Sequence, residues 1–266
     1  MFKEIEASAK KAGEIVRFAH NVEAGVRTKT SKVDLVTEYD VRVQEYLYRE
    51  LSKLCPDAHF IGEEEKSGVP LSERLAGKAF IIDPIDGTTN FVRDLRQSAV
   101  SIGYAENGEV VYGCCYLPYT DELYTARKGQ GAFCNGQPIH CRDRSISEAI
   151  VFCGTSPYDK ETLGVPTFAV MQTLFRAGMD VRRFGSSVIE MLSVASGKTD
   201  LYCEMRLSPW DHAAAAMIAR EAGAVASNMK GEPLRYDKKC SCIVASPACY
   251  AYFMSDPDIM RYKDIF

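Results

Sequence analysis

The sequence predicts a mixed α/β protein whose first half is α+β and whose second half alternates strand with helix. Three observations carry that expectation. Two amphipathic repeats open the chain, a turn-punctuated run of alternating residues fills 98–136, and after about residue 145 strand and helix patterns take turns.

Residues 3–20 place Ile5, Ala9, Ala12, Val16 and Ala19 at three- and four-residue steps, the spacing of one helix face. Thr37 suits the cap of a second helix, in which Val43, Tyr46, Leu47, Leu51 and Leu54 recur until Pro56 stops it. Ala79-Phe80-Ile81-Ile82 is short, apolar and bounded by polar residues, which predicts a buried strand that delivers Asp83 at its C-terminal end. From Ser98 to Gly136, turn signals at Asn107-Gly108, Pro118-Tyr119-Thr120-Asp121, Lys128-Gly129 and Asn135-Gly136 predict an antiparallel meander. Beyond it, strands are expected near 149–153, 180–184, 199–204, 224–228 and 241–246. Helices are expected near 160–177, 187–196 and 210–222, the last two ended by Gly197 and Gly223. The change of rhythm divides the chain into an N-terminal domain, 1–144, and a C-terminal domain, 145–266, with no repeat, low-complexity tract or long linker.

A chain of 266 residues, 46% hydrophobic, can bury one large core or two smaller ones that share an interface. Its formal net charge of −4 offers no basic field, so neither nucleic acid nor an anionic membrane is an expected partner. The first turns carry charge throughout and no apolar stretch is long enough to span a bilayer, which points to a cytoplasmic protein. Ten cysteines without a CxxC pair, in a chain too long to need staples, read as free thiols. Cys114 and Cys115 are neighbours in a strand and should face opposite sides, and Cys240 with Cys242 are too few for a metal site.

The chemistry lies in the acidic residues. Asp83-Pro84-Ile85-Asp86-Gly87-Thr88-Thr89-Asn90-Phe91 sets two carboxylates three residues apart beyond a buried strand; alone, such a turn is common punctuation. Two further elements alter its meaning. Ile61-Gly62-Glu63-Glu64 follows an apolar pair, and Trp210-Asp211 opens an alanine-rich helix whose free amides hold a carboxylate. Four carboxylates at strand ends and a helix start, with no His or Cys among them, describe a hard-cation site that suits Mg2+ better than Zn2+.

Gly62-Glu63-Glu64, Asp83 to Phe91 and Trp210-Asp211-His212-Ala213-Ala214 resemble the three signature motifs of the inositol monophosphatase family, in order and spacing. The likeness extends to Asp34-Leu35-Val36-Thr37 with Asp40, to Tyr124–Phe133 as the family's central hairpin, and to Gly185-Ser186-Ser187 as its substrate-binding turn. The resemblance implies the layered αβαβα sandwich of the inositol monophosphatase and fructose-1,6-bisphosphatase type, with metals in a cleft between two halves. It implies a lithium-sensitive phosphoric monoester hydrolase that uses Mg2+, works as a homodimer and attacks phosphorus in line with a metal-bound water. Glu63, Asp83, Asp86 and Asp211 become metal ligands, completed by the Ile85 carbonyl and the Thr88 hydroxyl. Thr88 backed by Asp40 becomes the proton-accepting pair, and Lys29 lies near the phosphate. Asp86, Gly87, Thr88, Gly185, Ser186, Ser187, Glu204 and Asp211 become substrate contacts, with Glu204 reading ring hydroxyls.

Myo-inositol monophosphate is the first substrate this implies. Sister phosphatases on the same scaffold act on histidinol phosphate, fructose 1,6-bisphosphate or 3′-phosphoadenosine nucleotides, and a catalytically silent protein-binding homologue is a reading of another class. The sequence departs from the family where Ala215 replaces a glycine, and segment 155–166 matches nothing assignable. His20, His59, His140 and His212 fall at no ligand position and read as structural or solvated.

Overall fold

Five layers alternate helix and sheet through the computed structural model, which describes residues 1–20, 22, 26–28, 35–65 and 67–265. The first layer is α1 (Phe2–Arg17) and α2 (Glu38–Leu54), joined through the short antiparallel pair β1 (Arg27–Thr28) and β2 (Leu35–Val36). Thr37 caps α2 in a capping box with Asp40, so the start of that helix is written locally.

Against this layer lies a seven-stranded sheet. Its strands follow chain order: β3 (His59–Gly62), β4 (Lys78–Asp86), β5 (Ala99–Glu106), β6 (Glu109–Leu117), β7 (Glu122–Arg127), β8 (Ala132–Cys134) and β9 (Gln137–Ile139). All neighbours are antiparallel except β3 and β4, so the expected meander is present and runs on to residue 139. The short helices α3 (Leu71–Arg74) and α4 (Thr88–Val92) flank β4. Ile5, Val16, Val43, Leu47 and Leu51 pack on the outer face of the sheet with Phe80, Ile82, Ile102 and Cys114, while Ile81 and Cys115 face inward. The adjacent cysteines therefore do point opposite ways, and all ten thiols are free.

The second half supplies the other layers. A five-stranded sheet contains β10 (Ile150–Cys153), β11 (Asp180–Arg182), β12 (Leu201–Leu207), β13 (Val225–Ser227) and β14 (Cys240–Ala245), in the order β11-β10-β12-β14-β13. It is mixed, because β14 runs antiparallel to both of its neighbours. Its outer face carries α5 (Lys160–Ala177), α8 (Pro247–Ser255) and α9 (Pro257–Met260), the last two unforeseen because residues 247–260 have no sustained apolar period. Between the sheets lie α6 (Ser187–Ala195) and α7 (Pro209–Glu221), helices buried on nearly every side. The core they share with both sheets contains residues from each half of the chain.

Small residues make this middle layer thin. Ala213, Ala214, Ala215 and Ala216 are fully buried, and a Cβ on Gly113 of β6 would stand 2.6 Å from the Ala214 carbonyl oxygen. Only glycine there lets α7 lie directly on the sheet. The unassigned segment 155–166 comprises a 3-10 turn at Pro157–Asp159 and the first turns of α5, with Pro166 inside the helix. Among the described residues no helix is long and apolar enough to cross a membrane.

Candidate active site

The two aspartates of the central motif lie within β4, not beyond it. Residues three apart on a regular strand face opposite sides. Here the register against β5 slips, with Asp83 opposite Ser101 and Asp86 opposite Ala99, so one extra residue intervenes and both carboxylates reach the same side. Gly87 then turns the chain into α4 at φ +85°, where a Cβ would also approach the Gln97 carbonyl oxygen to 2.8 Å.

Three other elements close on that point. Glu63 follows β3, its amide donating to the Ile82 carbonyl at 3.3 Å. Asp211 is the third residue of α7, and its Oδ2 accepts the Ser208 amide at 2.6 Å in a capping box. Asp40, fully buried at the start of α2, accepts the Thr37 amide and hydroxyl and lies 3.4 Å from the Thr88 hydroxyl. That hydroxyl also stands 3.1 Å from the Ile85 carbonyl oxygen, and the Ile85 amide donates to Asp83 Oδ1 at 3.0 Å.

Burial and mutual repulsion dominate the electrostatics. Asp83 is pushed well above the usual carboxylate range by burial and then by the charges of Glu63, Asp86, Asp211 and Asp40. Asp211 is raised by burial and by Glu63 and Asp86, against the pull of the Ser208 amide. Asp86 rises only to about 6, because donors from Ser186, Ser187 and Val188 oppose its burial. Among the described residues no three Asp, Glu, His or Cys side chains stand in ion-coordinating geometry in this conformation. The donor set is nonetheless suited to a hard cation: every group is oxygen, and buried like charges this close need a counter-charge.

The turn before α6 forms the opposite wall. The Ser186 hydroxyl donates to Asp86, the Ser187 hydroxyl lies 2.9 Å from Asp86 Oδ1, and the Val188 amide donates at 3.1 Å. Asn90 ties the two walls together, its amide nitrogen donating to the carbonyls of Gln97 and Phe184 at 2.7 Å each. Glu204 on β12 is partly buried. Its Oε1 accepts the Ser156 amide at 2.7 Å and its Oε2 the Tyr202 hydroxyl at 2.7 Å, while burial raises its carboxyl against those donors. Lys29 and Asp34 lie outside the described residues. His212 is buried beside Tyr236 and held neutral, burial depressing its imidazole to about 3.

Residues 1–256 match the model of the inositol monophosphatase family. Inositol monophosphatase 2 of Rattus norvegicus is 41% identical over 228 residues, which cover 85% of this chain and 79% of that one. The chain belongs to the inositol monophosphatase family. It is thereby one of a family of phosphoric monoester hydrolases, and the layered fold agrees. The extragenic suppressor protein suhB of Bartonella henselae superposes with a TM-score of 0.86 at 26% identity, covering 99% of this chain and 98% of that one. SaIMPase-II, an inositol monophosphatase of Staphylococcus aureus solved with inositol monophosphate bound, gives 0.81 at 26%, covering 99% and 96%.

Sequence reasoning did not single out Asn90, Ser156, Tyr202 or Glu190. Glu190 had a legible signal, being the one charge in Ser187-Val188-Ile189-Glu190-Met191-Leu192-Ser193-Val194-Ala195. Tyr202 lies two residues before Glu204 on β12 and so shares its face, whereas Ser156 had no signal, because its meeting with Glu204 depends on β10 and β12 lying side by side.

Proposed function

We propose that this phosphatase hydrolyses a small polyol or sugar phosphate, with myo-inositol monophosphate as first substrate and Mg2+ as its cation. The observation that carries the reading is the convergence of Glu63, Asp83, Asp86 and Asp211, from β3, β4 and α7, beside the Ser186-Ser187 turn. The inositol monophosphate complex of SaIMPase-II supports the substrate class.

Those four carboxylates, the Ile85 carbonyl and the Thr88 hydroxyl would hold the ions. Mg2+ bound there supplies the positive charge that offsets the carboxylates and polarises the phosphate for in-line displacement. The remaining work falls to the chain. Thr88 Oγ1 can take a proton from the attacking water while passing its own to Asp40 Oδ1, 3.4 Å away. The Gly87 and Thr88 amides would hold phosphate oxygens, and the family resemblance assigns the charge of Lys29 to the same phosphate. Glu204 accepts a ring hydroxyl of the leaving polyol, and Gly185, Ser186 and Ser187 face the ring. A cytoplasmic homodimer is proposed on family likeness alone.

The test is release of inorganic phosphate from inositol 1-phosphate, histidinol phosphate, fructose 1,6-bisphosphate and a 3′-phosphoadenosine nucleotide, with Mg2+ or with chelator. Turnover of inositol 1-phosphate that chelator abolishes is expected. A stronger preference for another member would reassign the substrate, and no release from any would leave the protein-binding reading.

A further inference from the structure

Glu190 is a carboxylate where the fold has little use for one. It lies on the first turn of α6, between two sheets and 1% exposed, among residues otherwise chosen for apolar packing. A buried charge persists only where donors satisfy it. Its donors are two backbone amides, Phe184 at 2.5 Å and Gly185 at 2.9 Å, both received by the same oxygen.

Those amides belong to the turn that delivers Ser186, Ser187 and the Val188 amide to Asp86. The two peptide groups that flank Phe184 are both gripped, its N–H donating to Glu190 and its carbonyl accepting from Asn90, which also holds Gln97. The helix thus reaches back to fasten the loop that precedes it. Charge-assisted bonds to backbone amides are stronger than neutral ones, so the turn is held more firmly than its own backbone would hold it.

We infer that Glu190 is a positioning residue for substrate binding, fixing the Arg183–Ser187 turn in the shape that presents Ser186 and Ser187 to Asp86 and to the polyol. The inference rests on the proposed function for its consequence in catalysis, but the fastening of the turn is measurable without substrate. Arg183 opens the turn, and Tyr202, Cys203 and Glu204 on β12 are the other ionisable groups whose fields meet that of Glu190. None of them replaces the two amides as a partner in the geometry described.

The experiment compares Glu190→Ala and Glu190→Gln with the unaltered protein at saturating Mg2+. Amide hydrogen exchange of Phe184 and Gly185 is followed alongside kinetics on inositol 1-phosphate. Glu190→Ala is expected to speed exchange at both amides and to raise KM about tenfold or more, with a smaller change in kcat. Glu190→Gln keeps an acceptor oxygen and should recover most of both losses. Folded Glu190→Ala protein with unaltered exchange and unaltered KM would overturn the inference and leave Glu190 a matter of stability only. If Glu190→Ala does not fold, failure of Glu190→Gln to keep the two amides protected overturns it equally. Should the unaltered protein hydrolyse no substrate, the proposed function fails, and the exchange measurements alone decide whether Glu190 fastens the turn.

Discussion

Asp83 sits at the centre of the repulsion, raised by burial and then by four neighbouring carboxylates, and the resemblance makes it a metal ligand. Asp83→Asn removes a charge that an amide cannot supply, so turnover is expected to fall on the order of a thousandfold or more, with the fold retained. Half the original rate in steady-state assays would take Asp83 out of the mechanism. Glu190 makes a different, pH-linked prediction. Burial pushes its carboxyl up to about 7, with Glu204 adding to the rise and the two amides and Arg183 opposing it. A folded-state value above the unfolded one means the folded protein binds the extra proton, so stability is lost as pH rises from about 4.5 through 7. In metal-free protein Glu190→Gln should cancel that loss, a gain on the order of 3 kcal/mol by pH 8 and little at pH 4. Urea titrations at the two pH values check it; an equal effect at both would mean Glu190 does not titrate in this range. A buried carboxylate that costs stability yet fastens a working turn is the kind of exchange active sites make.

Elements decide where these side chains meet. The register slip in β4 turns a three-residue spacing, which a flat strand would split between faces, into a shared one. α7 brings Asp211 to the same place, and it can do so only because Gly113 and four buried alanines let it lie on the sheet. Gly113→Ala puts a methyl 2.6 Å from the Ala214 carbonyl and should cost about 1–3 kcal/mol, as overpacking does. The shift of α7 should also raise the Mg2+ concentration needed for activity. Unchanged urea midpoint and metal requirement would show that α7 has room the packing does not suggest.

At the scale of the molecule, α6 and α7 share one core with both sheets, so the two halves of the chain are expected to lose structure together. Trp210 is the only tryptophan and lies beside Asp211, which makes its fluorescence a local probe to set against far-ultraviolet circular dichroism. Coincident urea transitions are expected, and separate ones would mean that the halves unfold as units. Mg2+ should raise the melting temperature, since ions bind the assembled carboxylates and not the unfolded chain. Asp211→Ala should shrink that rise while relieving the metal-free protein of one repelling charge. A melting curve indifferent to Mg2+ would argue that the acidic cluster holds no ion.

Much of this was legible before any fold was known. Helical and strand periods, Thr37 as a cap, the turn signals of the meander and the opposed faces of Cys114 and Cys115 are local, and short-range sterics enforce them. The acidic motifs marked a candidate hard-cation site in the same way, since residue type alone separates hard oxygen donors from His and Cys. Tertiary structure decided what depends on neighbours distant in sequence. The mixed order of the second sheet, the bulge that turns Asp83 and Asp86 to one side and the meeting of Ser156 with Glu204 follow from which strands lie together. Those contacts form between segments whose own residues carry no trace of the partner, so no period or motif could have foretold them.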